Sequence, residues 1–249
     1  MSAEQPDPRQ HSWWIRIEGA RLDLEALQAE ARAAGFEVVL DGEEAPYLRG
    51  AEFDDVAHDG EVMPAARRAV ELLNGLARVR HPDHRPVAVS GTILKVHPDG
   101  RHGVIIEPPA GHMRFRSHEP AVRAGAEDQG SEPRPDAGCK RYGLAQQSAA
   151  LGDALRAFSS EPTWQKLRYV FEIIGQDVGG AGGMNHRGWA TPEETRQFLA
   201  NSTDRRLSGR EALHGHKFQH PPKADPMSLP EATRLVGRLL GRWMDETPR

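Results

Sequence analysis

Three histidines fall within seven positions of one another in GREALHGHKFQHPP, residues 209–222: His214, His216 and His220, beside Arg210 and Lys217. Imidazoles so spaced suit two chemistries, coordination of a metal through neutral ring nitrogens and proton transfer near pH 6.5. As ligands, His216 and His220 share a face of a helix while His214 points elsewhere; on a strand, His214 and His216 share a face instead. Neither geometry recruits all three, and Pro221 and Pro222 end a helix near His220, since a residue before proline avoids the α region. No cysteine lies nearby, and no HExxH glutamate accompanies the cluster. Metal binding through His214, His216 and His220 is therefore the third of three expectations, and no metal or other cofactor is predicted.

Acid–base work on a phosphodiester needs a cation near the imidazole. Arg210 and His216 are separated by five residues in the helical half of the chain, a pattern that resembles the Arg-x4-6-His signature of the HEPN ribonucleases. The resemblance covers this short motif alone. It implies a phosphodiesterase with Arg210 stabilising charge and His216 as general acid/base, the second expectation. The same spacing recurs at Arg78 and His84 in RVRHPDH, a proline-containing connection.

The first expectation comes from charge. Up to Cys139 the chain has 16 basic against 24 acidic residues, a net of −8, and from Lys140 onward 16 against 12, a net of +4. The basic excess concentrates at Arg205, Arg206, Arg210, Lys217 and Lys223, opposed by Asp204 and Glu211. The predicted contact surface is Arg205, Arg206, Arg210, His214, His216, Lys217 and His220, and the predicted activity is non-catalytic binding. Its partner would be a polyanion such as nucleic acid or a nucleotide, or a protein. Phe218 is the only aromatic there, which is thin for stacking on bases. The glycines of GGAGG, 179–183, read as a connector, because they follow a helix and lack the Lys-Ser/Thr pair of a phosphate loop.

With 38% hydrophobic and 27% charged residues, the 249-residue chain has enough apolar content for a packed core. A lone cysteine, Cys139, forms no intramolecular disulfide, as expected in a reducing cytoplasm. The polar start MSAEQPDPRQHS lacks a signal-peptide pattern, and no apolar run approaches the roughly 18 residues of a membrane span. A soluble cytoplasmic protein is expected, its abundance of Arg and Ala pointing to a bacterial source of high GC content.

Periodicity supplies the elements that must position these groups. WWIRIEG (13–19) and FEVVL (36–40) read as strands, with a helix between them that Asp23 caps and Gly35 stops. Residues 61–79 form a second helix, weakened at Asn74 and Gly75. PVAVSGTILKV and RHGVIIE form a hairpin about HPDG, with Pro98 and Gly100 making the turn. Within its first strand the apolar parity changes across Gly91, which predicts a bulge.

The stretch around GEEAPYLRG is irregular, and residues 117–139 read as a polar linker. Beyond it the period is helical: 143–158, then 161–178, then starts with capping boxes at Thr191/Glu194, Ser208/Glu211 and Ser228/Glu231. Trp164, Trp189 and Trp243 fall on buried stripes. The predicted fold class is α+β: a disordered start (1–12), an N-terminal domain (13–116) with a small, mainly antiparallel sheet of about four strands and two helices, the linker, and an all-α domain (140–249).

Overall fold

The computed structural model describes residues 11–40, 45–97, 101–106, 135–204, 207 and 225–247. It bears out the α+β class. An N-terminal antiparallel sheet with its helices is followed by a region whose described elements are all helices.

The N-terminal part contains β1 (Ser12–Glu18), α1 (Arg21–Ala33), β2 (Phe36–Val39), β3 (Tyr47–Gly50), the short α2 (Ala51–Asp54), α3 (Asp59–Arg80), β4 (Ala88–Val96) and β5 (His102–Ile106). The spatial order is β2-β3-β1-β4-β5, every pair antiparallel. Counting α1 and α3 as the crossovers, the first four strands follow the split β-α-β-β-α-β arrangement, and β5 returns from β4 as a hairpin at the edge. The sheet has five strands rather than about four because Tyr47–Gly50, inside the stretch read as irregular, pairs with both β1 and β2. Four residues with one fully buried side chain, Leu48, are too few to show a period.

Alternation along β1 sends Trp13, Ile15 and Ile17 into the core and Ser12, Trp14 and Arg16 to the other face. Phe36, Val38, Leu48 and Ile93 complete the buried side. The predicted bulge is present. Ile15 pairs with Ile93 and Ile17 with Val89, so three residues of β4 oppose Arg16 alone, and Gly91 among them has φ +83°. The hairpin is confirmed by pairing from Val96–His102 to Thr92–Ile106; its turn residues Pro98 and Gly100 lie outside the described residues.

Helix α1 starts three residues earlier than expected, with Ala20 rather than Asp23 at the cap. Asp23 is instead turned inward, its carboxylate accepting the Arg85 backbone N–H at 2.8 Å. Helix α3 is the central strut: it packs on the sheet and α1, and also on the helical region. Gly75 permits that contact, since a Cβ there would lie 2.6 Å from the Leu155 carbonyl oxygen. Asn74 and Gly75, read as weak points of a helix, thus mark its closest packing.

The helical region contains α4 (Pro135–Gln147), α5 (Ala149–Ser159), α6 (Trp164–Val178), α7 (Gly180–His186), α8 (Pro192–Thr203) and α9 (Leu229–Glu246). Residues 143–158 are not one helix. Ser148 takes extended φ/ψ and its hydroxyl accepts the Leu151 N–H, so it caps a new helix. Helix α4 also begins inside the stretch read as linker. GGAGG is a helix junction: Gly179, in the left-handed region, ends α6, and α7 begins at Gly180.

Trp164, Trp189 and Trp243 are buried as expected, and the indole N–H groups of Trp189 and Trp243 donate to Glu246 and Asp177 at 2.8 and 2.6 Å. Phe171 stacks on Phe198 at 4.9 Å, joining α6 to α8. A single cluster of buried apolar residues runs from Trp13 and Ile15 through α3 to Leu239 and Trp243.

Two of the three capping boxes form, Thr191/Glu194 and Ser228/Glu231, while Ser208/Glu211 lies outside the described residues. The Thr191 N–H holds the Glu194 carboxyl below the ordinary glutamate range, assisted by Arg238, with desolvation opposing. A depressed carboxyl pKa adds stability that is present above the unfolded value and lost as pH falls through the folded one. The melting-temperature difference between wild type and Glu194→Gln is therefore expected at pH 7 and should close below about pH 4.3. Thr191→Ala should cost about 1 kcal/mol by denaturant titration.

Candidate functional site

All residues singled out by histidine spacing and charge, Arg205, Arg206, Arg210, His214, His216, Lys217 and His220, lie outside the described residues. The described residues contain three other features to weigh: a buried polar hub, a cleft, and the outer face of the sheet.

The hub brings Arg78 and His84 together. The Arg78 guanidinium donates to the His84 carbonyl through Nε (3.0 Å) and Nη2 (2.6 Å), and through Nη1 to the carbonyls of Phe158 (2.8 Å) and Ser160. Burial pulls its pKa down, with Glu161 and Asp23 opposing. The His84 imidazole faces away from it. Its Nε2 meets Asn74 Oδ1 at 2.9 Å, and its Nδ1 lies 3.6 Å from Asp23 Oδ1. Since Asn74 Oδ1 also accepts the Val87 N–H, that oxygen is an acceptor and Nε2 must carry the proton. Both residues are 2% exposed. Their spacing matches the ribonuclease-like pattern, yet here it serves to satisfy three carbonyls where α3 meets the end of α5.

Beside the hub, a cleft of about 390 Å³ opens between the α3–β4 connection, the α5–α6 connection and the start of α9. Its walls include Pro82, Asp83, Arg85, Glu161 and Thr233. Asp83 and Glu161 already have interaction partners within the protein. The cleft therefore offers a ligand mixed charges that are at least partly engaged. Among the described residues, no group of three or more His, Cys, Asp or Glu is placed to hold a metal ion.

The outer face of the sheet differs. Inner-face Trp13, Ile15, Ile17, Phe36, Val38, Leu48 and Ile93 are buried, while outward-facing Trp14, Arg16, Tyr47, Arg49, Leu94 and Val96 are only partly covered, and Val104 and Ile106 are 55% and 70% exposed. One row of side chains crosses all five strands: Glu37 opposite Arg49, Arg49 over Trp14, Trp14 opposite Leu94, and Leu94 opposite Val104. In the next row Val39 faces Tyr47 and Tyr47 faces Arg16.

Local contacts hold this surface in place. The Trp14 indole N–H donates to Ser12 Oγ at 3.1 Å, and the Tyr47 ring meets Trp14 edge-on with centroids 6.0 Å apart. The Arg49 guanidinium lies 5.0 Å from the Trp14 ring centroid and donates to Glu37 through Nη2 at 2.6 Å. Arg16 is different: its Nε is buried and has no hydrogen-bond partner among the described residues. Arg16 shares this face with exposed Glu18, two residues further along β1, and with the apolar side chains of Val39, Leu94 and Val104.

Sequence reasoning passed over this face. Two signals in the chain point to it: consecutive Trp13 and Trp14, which cannot share one face of a strand, and Leu94 and Val96, whose parity opposes Ile93. No protein-family model, curated protein or solved structure matches the chain. Among the described residues, no helix is long and apolar enough to cross a membrane.

Proposed function

We propose that the protein is a non-catalytic binding protein whose contact surface is the outer face of its five-stranded sheet. The carrying observation is the incomplete cover of that face: Trp14, Tyr47 and Leu94 are only partly buried, and Val104 and Ile106 are 55% and 70% exposed. Aromatic and apolar side chains on a sheet supply contact area, and Arg16, Glu18, Glu37 and Arg49 supply charges of both signs beside them. The basic segment 205–223 is a second contact in this reading, supported by the +4 balance of the chain after Cys139.

The test is capture of macromolecules by the immobilised full-length chain, comparing wild type with Arg16→Glu and with Arg205→Glu/Arg206→Glu/Arg210→Glu. Loss with Arg16→Glu supports the sheet face; unchanged capture by both variants contradicts the reading. Cleavage of mixed RNA by wild type that disappears in His216→Ala would replace binding with the phosphodiesterase chemistry of Arg210 and His216.

A further inference from the structure

We propose that β5 pairs antiparallel with β5 of a second copy of the chain, so that two five-stranded sheets join edge to edge. The inference goes beyond the binding reading above and does not depend on it. It starts from the two edges of the sheet. At the β2 edge the Val38 carbonyl already accepts the Gln28 side-chain N–H at 3.1 Å, and exposed Glu37 adds a charge. The β5 edge has none of the devices that keep an edge strand unpaired. Residues His102–Ile106 include no proline, lysine, arginine or carboxylate, and their register with β4 runs without a bulge. Among the described residues β4 alone pairs with this strand. Val104, Ile105 and Ile106 are 55%, 37% and 70% exposed, so apolar surface lies on both faces of the edge.

Symmetry and charge select a second copy as the occupant. An antiparallel pair of identical strands has a two-fold axis built in. With that axis at Val104, Arg101 falls opposite Glu107 of the copy and Glu107 opposite its Arg101, while Pro108, which cannot donate to a ladder, stays outside the pairing. Arg101 also has an interaction within its own chain, so the match counts as agreement in sign. An axis at Ile105 would instead set Arg101 against Pro109 and Glu107 against Gly103. In the Val104 register Ile105 lies opposite Gly103 of the copy, where an added side-chain carbon would meet only Lys95 Cβ, at 4.0 Å. Val104 meets its own equivalent, an uncharged pair, and the outer faces of the two sheets become continuous. Strands of five residues make a contact at the small end for a specific complex, so a Kd of about 10–100 μM is expected.

The experiment is sedimentation equilibrium of the full-length chain, with no partner present, from about 1 to 200 μM. Wild type should pass from monomer to dimer across that range. Val104→Lys and Val104→Glu each set like charges opposite one another at the two-fold axis, and each should weaken the dimer about tenfold or more. An equimolar mixture of the two variants sets opposite charges there and should dimerise as wild type does. Val104→Thr keeps a strand former and should leave the Kd unchanged. In a second measurement, Val104→Cys in a Cys139→Ser background should form an interchain disulfide on mild oxidation, since directly opposite Cα atoms in an antiparallel pair lie about 4.5–5.5 Å apart. Val39→Cys, in the β2 edge strand, should not.

Wild type that stays monomeric throughout overturns the proposal, as does a dimer that Val104→Lys and Val104→Glu leave intact. A mixture of those two variants that fails to dimerise overturns the pairing of Val104 with its equivalent, and with it the proposal. Restored dimer in the mixture also shows that both variants fold. Because no partner is present, failure here leaves capture by the sheet face to be judged by its own test.

Discussion

Arg78→Met is expected to lower the unfolding free energy by about 3–5 kcal/mol, because it strands the carbonyl oxygens of His84, Phe158 and Ser160 in the interior. Methionine replaces much of the stem's apolar volume, so the loss isolates the hydrogen bonds rather than a cavity. The fall in melting temperature should be about 6–20 °C for a chain of this size. Arg78→Lys should recover little. An ammonium is a compact donor, and the geometry here uses a planar fork reaching both sides of an interface between the α3–β4 connection and the end of α5. Denaturant titration with a wild-type-like value for Arg78→Met would contradict this role.

Gly75→Leu carries the second large effect. At an ordinary helical position, replacing glycine by a good helix former gains up to about 1 kcal/mol. At Gly75 the first added carbon would already lie 2.6 Å from the Leu155 carbonyl oxygen and 3.1 Å from its carbon, backbone atoms of α5 that cannot rotate away. Overpacking of this kind costs about 1–3 kcal/mol and rises with side-chain size, so with leucine at the upper end the net effect is a loss of about 2 kcal/mol. Gly60→Ala, in the same helix with nothing within 4 Å of its added carbon, is the comparison and should be neutral or slightly stabilising. Equal stability of Gly75→Leu and wild type would mean that α3 and α5 do not pack this closely.

These two sites show which physical facts a one-dimensional pattern carries. Elements long enough to repeat their period were readable: β1 through Trp13, Ile15 and Ile17, α6 through Trp164, Leu167, Val170, Phe171 and Ile174, and α9 through Leu235, Val236, Leu239, Leu240 and Trp243. Local chemistry was readable too, as Gly91 in the bulge and the boxes at Thr191 and Ser228 show. Strand β3 was not, because its signal is tertiary: four residues become a strand only when both β1 and β2 are beside them.

The same limit governs the site. Asp23 has the right type and place for a helix cap, but its carboxylate is claimed by the Arg85 N–H, sixty-two residues away. Asn74 and Gly75 have poor helix propensity, yet Asn74 ties α3 to the backbone of Val87, and Gly75 admits α5. Arg78 and His84 match a catalytic spacing and turn out to meet through a main-chain carbonyl. Conversely, Trp14, Arg16 and Tyr47 have no motif spacing, since β1 and β3 lie far apart in the chain and only strand pairing sets Arg16 opposite Tyr47.

The most direct test of the sheet face as the contact surface is capture of macromolecules by the full-length chain carrying the photoreactive residue benzoylphenylalanine in place of Val104, on the outer face of β5, or in place of the exposed Tyr169, on α6. Covalent adducts are expected from position 104 and not from position 169. Adducts at neither position, or at position 169 alone, would contradict the account.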